Sequence, residues 1–133
     1  GRVERHRHPV VLDALAVLHA GGATHGALSP ERIVLLPGGP VLLGPDSGRR
    51  AALAALGTPD AALAEGFAAI EQYASVAGGR SAADGVGPWT DLYAVGALLC
   101  RAFTGAAPPP APNRLGADPL EPLSLRTIAG VSE

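Results

Sequence analysis

From Val10 the chain reads VVLDALAVLHAGG, with Val11, Leu15 and Leu18 on one face at helical spacing. Pro9 suits a first helical turn, and Gly21 is placed to take the left-handed conformation past the last one. Two brief apolar runs follow, Ile33 to Leu36 and Val41 to Leu43, around Pro37, Gly38, Gly39 and Pro40. That pattern predicts a hairpin with a four-residue turn, whose short strands need other surfaces to lie on. From Gly44 to about Gly87 the sequence is rich in Ala and Gly, and it predicts only short helical stretches near Arg50 to Leu56 and Ile70 to Ala74. The segment GPWTDLYAVGALLCRAFTG carries the strongest pattern: Leu92, Val95, Gly96, Leu99 and Phe103 form one apolar stripe. Thr90 is the expected cap, Asp91 suits the positive end of the dipole, and Gly105 ends what reads as a buried helix. Past Ala106 the chain is Pro-rich and then irregular, with a helical turn expected near its end. There is no internal repeat. The fold predicted is mainly α with a small β-hairpin.

Composition narrows the function classes. The chain has 133 residues, 47% hydrophobic and 17% charged, enough for one modest core. Gly at position 1 and the absence of Met read as a piece of something longer. The net charge of -2 provides no field for nucleic acid or an anionic membrane, although residues 1–9 form a basic leader with Arg2, Arg5, Arg7, His6 and His8. All ten Lys and Arg positions are Arg. Cys100 stands alone in an apolar run and reads as a small buried hydrophobe, compatible with a reducing compartment. The longest apolar run, Leu92 to Cys100, falls well short of the roughly 20 residues of a membrane span, and no cleavable signal is apparent.

The order of these elements, with LHAGG, HGALSPERI, PVLLG, EGFAAIEQY and GPWTDLYAVGALLCRAFTG at their places, resembles the C-terminal lobe of a bacterial serine/threonine protein kinase. The resemblance runs from about Val10 to Leu123 and covers about half of a kinase domain. It implies a basic leader over 1–9 and a partial kinase-like domain over 10–133, incomplete because it has no N-terminal lobe. HGALSPERI lies over the family's H-R-D-x-K-P-x-N-I, with His25, Pro30 and Ile33 matching. The central-helix segment, with Trp89 and Asp91, is the most specific of these matches.

The departures fall on the chemistry. The family's catalytic Asp accepts the substrate hydroxyl's proton, and Ala27 stands at its position. Ser29 replaces the loop Lys, and Arg32 replaces the metal-binding Asn; a guanidinium cannot ligate Mg²⁺. At the D-F-G position stand Gly44, Pro45 and Asp46, leaving Asp46 as a displaced candidate for the metal. The Gly-rich loop and strand Lys that handle ATP belong to the missing lobe. Structural roles do carry over by resemblance. His25 packs on an apolar column, Asp91 hydrogen-bonds the loop backbone from below, and Glu71 ends the activation segment, its Arg partner lying beyond this sequence. Ala64 takes the place of the Thr of the peptide-docking loop.

Other motifs have plainer readings. His19 closes an apolar helix as a packing or C-terminal dipole residue. His6, His8, His19 and His25 lack the spacing of a metal site. GPDSG does not flank Ser47 as a nucleophile elbow requires, and GGPVLLG and AGGATHG are turns rather than phosphate loops. APPPAPNRL is a spacer rather than a polyproline ligand.

The resulting expectation is a pseudokinase: a regulatory or protein-binding scaffold in the cytoplasm, without cofactor, whereas active relatives use ATP and Mg²⁺. Its partner would be a kinase, a phosphatase or another signalling protein. One alternative is a piece of a divergent, ATP-dependent serine/threonine kinase that recruits Asp46 and Glu31 as metal ligands. Another is a structural module of a larger multidomain protein.

Overall fold

The computed structural model describes residues 10–44, 63–76 and 85–123, apart from the side chains of 74–76. The basic leader 1–9, the helical stretch expected near Arg50 to Leu56, Asp46, Ser47 and the residues after Leu123 lie outside the described residues. Three α-helices and a two-stranded antiparallel sheet are found among them. The architecture is mainly α with a small hairpin, as the periodicity predicts.

Helix α1 spans Val10–Ala20. Its expected inner face holds: Leu15 is 1% exposed, and Val11 and Leu18 pack beside it. The helix ends at Ala20, just before Gly21 as predicted, but Gly22 rather than Gly21 takes the left-handed conformation. The Ala23 N–H donates to the Leu18 carbonyl and the Gly22 N–H to that of His19, so two carbonyls left over by the last turn are satisfied.

Strands β1 (Ile33–Leu36) and β2 (Gly39–Leu42) pair antiparallel, Leu36 opposite Gly39. The turn is therefore Pro37-Gly38, two residues rather than the expected four, because Gly39 and Pro40 join the second strand. Helix α1 supports β2, and the Leu43 N–H continues the ladder to the Arg32 carbonyl. A 3₁₀ turn, Pro30–Arg32, leads into β1.

Helix α2 covers Ile70–Val76 and helix α3 covers Pro88–Thr104. A second 3₁₀ turn, Ala111–Arg114, lies in the Pro-rich segment, where irregular chain was expected. Both helices start with the same device, since Gln72 and Thr90 each occupy the third helical position and accept the N–H of the capping residue, Ala69 and Gly87. Thr90 is thus not the cap itself. Pro88 suits the first turn, so the helix begins three residues earlier than that assignment required.

The largest correction concerns which face of α3 is inward. The buried residues are Thr90, Asp91, Ala94, Ala97 and Cys100. Of the predicted stripe only Val95 packs against the core, which centres on Leu15, Leu28 and Ala94. Leu92, Leu99 and Phe103 are 55%, 51% and 44% exposed.

Two glycines in the left-handed region make a testable pair. A Cβ on Gly66 (φ +82) would stand 2.6 Å from the Pro108 carbonyl oxygen, whereas one on Gly105 (φ +80), which ends α3, would meet nothing within 4 Å. Gly105→Ala should cost about 1 kcal/mol, the conformational term alone. Gly66→Ala adds a backbone clash and should cost at least 1 kcal/mol more. Denaturant titration of the two variants measures the difference.

Candidate functional site

The loop from His25 to Arg32 is built around a single carboxylate. Asp91, 1% exposed in the first turn of α3, accepts the backbone N–H of His25 at Oδ2 and that of Gly26 at Oδ1, each at 2.8 Å. A third contact comes from His19 at the end of α1, whose Nε2 lies 2.8 Å from Oδ2. Both oxygens of a buried charge are therefore hydrogen-bonded, which is the condition for burying it.

His25 is buried and ties the loop to the hairpin. Its Nε2 lies 2.7 Å from the Leu43 carbonyl oxygen, and its Nδ1 lies 3.3 Å from the Ala27 nitrogen. A carbonyl can only accept and an amide N–H can only donate, so the imidazole carries its proton on Nε2 and offers Nδ1 as acceptor. This ring is fully engaged by the backbone. On the other side, Gln72 of α2 donates from Nε2 to the Gly26 carbonyl at 2.7 Å while its Oε1 holds the Ala69 N–H.

The positions singled out by resemblance come together here. Ala27 follows the two residues held by Asp91, Ser29 is buried, Arg32 is half-buried, and the Arg32 carbonyl receives the Leu43 N–H just before Gly44. Of these four, only Ser29 and Arg32 bear polar side chains, and none offers a carboxylate. Among the described residues no group of three or more His, Cys, Asp or Glu is arranged to hold a metal. Asp46 lies outside those residues.

Glu31 stands exposed within the loop. Its own backbone N–H and the Ser29 hydroxyl, followed by the more distant Arg101, hold its carboxyl below the usual carboxylate range. Glu71 accepts the Thr90 hydroxyl at 2.6 Å, linking α2 to the start of α3. Trp89 is 59% exposed, donates Nε1–H to the Gly85 carbonyl at 3.0 Å, and lies over Gly87. A Cβ there would come within 2.4 Å of the indole. Cys100 is buried with a free thiol, and no helix among the described residues is long and apolar enough to cross a membrane.

Two site residues escaped the sequence reading. From sequence His19 reads as a packing or helix-dipole residue, whereas its partner lies 72 positions away. Gln72 carried no assignment, and a single Gln gives no pattern from which its bridge could be read.

Asp91→Ala should cost about 3 to 5 kcal/mol, since it strands buried N–H groups and His19 together. His19→Ala removes one donor and should cost about 1 to 2 kcal/mol. Urea unfolding of both variants tests the order. For Glu31 the folded carboxyl titrates below its ordinary value of 4.5, so its stabilisation is present above that pH and is lost as pH falls through the folded value. The stability difference between wild type and Glu31→Gln should accordingly be seen at pH 7 and vanish in acid.

No protein-family model matches the chain, and no curated protein matches it. Among solved structures it is similar to one described as PpkA-294 apo form, with 34% sequence identity and a TM-score of 0.76. The match covers 93% of this chain and 41% of that one, so the chain spans about two-fifths of the length of the solved protein it matches.

Proposed function

We propose that this chain is a protein kinase-like C-terminal lobe that serves as a regulatory, protein-binding scaffold and carries out no phosphoryl transfer. The observation behind this reading is the contrast within one loop. Its backbone is fixed by Asp91, Gln72 and the Leu43 carbonyl, while a methyl group stands at Ala27, where the family's chemistry needs a proton acceptor. The order of motifs from LHAGG to the central helix supports the family, and the similarity to the chain described as PpkA-294 apo form supports the fold. A kinase, a phosphatase or another signalling protein is the partner class proposed.

A divergent phosphotransferase is the second reading, and Glu31 is what favours it: an exposed carboxyl held in its ionised form next to Arg32. Against it, that carboxylate already has Ser29 and its own backbone as partners.

Thermal unfolding in millimolar ATP and Mg²⁺ separates the two. A ligand at 100 times its dissociation constant adds about 2.7 kcal/mol, several degrees in a domain of this size. The scaffold reading expects no Mg²⁺-dependent shift. A shift that depends on Mg²⁺ and disappears in Glu31→Gln would replace it with the phosphotransferase.

A further inference from the structure

We draw no further inference here: the strongest candidate, the cavity of about 540 Å³ that Gly96 and Cys100 of α3 line together with the segment from Arg114 to Leu123, carries nothing, because its Arg114 guanidinium is already held by Asp118 and the Tyr93 hydroxyl and nothing in the structure shows what covers it.

Discussion

A carboxylate buried in the first turn of α3 governs this structure, because it needs donors and obtains them from two remote segments. Asp91 draws the backbone of His25 and Gly26 and the ring of His19 onto its two oxygens, each within 2.8 Å. Left unpaired, such a charge would cost several kcal/mol, so the helix and the loop form their contact together or not at all. The end of α1, the start of the loop and the start of α3 are thereby one hydrogen-bonded unit. The loop receives its shape from below, through main-chain groups. The side chain at 27, a methyl group, takes no part in that hold.

A second layer repeats the logic between neighbouring helix starts. Gln72 accepts the N–H of Ala69, the residue that caps α2, and donates to the Gly26 carbonyl, so Gly26 donates to Asp91 through its N–H and accepts from Gln72 through its carbonyl. Thr90 holds the cap of α3 and donates its hydroxyl hydrogen bond to Glu71. Networks of this kind are rigid when every member is satisfied. Among the described residues one buried polar atom departs from that rule, the Tyr73 hydroxyl, whose ionisation is pushed up by burial and by Glu65 nearby.

The elements that repeat at short range were legible in the sequence. Val11, Leu15 and Leu18 gave α1 its face, and two apolar runs around Pro37-Gly38 gave the hairpin. The turn is shorter than its composition suggests because Pro40, a turn residue by type, pairs with Leu35 in the sheet, and proline is tolerated where its missing N–H faces the open edge. Asp91 could be placed against the loop only through the resemblance, since nothing local marks a contact 65 positions away. His19 and Gln72 were invisible for the same reason.

The inverted face of α3 has a physical cause. For Asp91 to reach two backbone N–H groups, the loop must lie close to the helix, and bulky side chains on that side would hold it off. Ala94, which packs beside Leu28 of the loop, is what close approach permits there, and the large residues Leu92, Leu99 and Phe103 stand outward. A stripe chosen by hydrophobic size therefore selects the wrong side. The hydrogen bonds that shape the loop and the apolar surface that faces away from it are consequences of one packing requirement, and a helix apolar on both faces is the form in which a sequence records it.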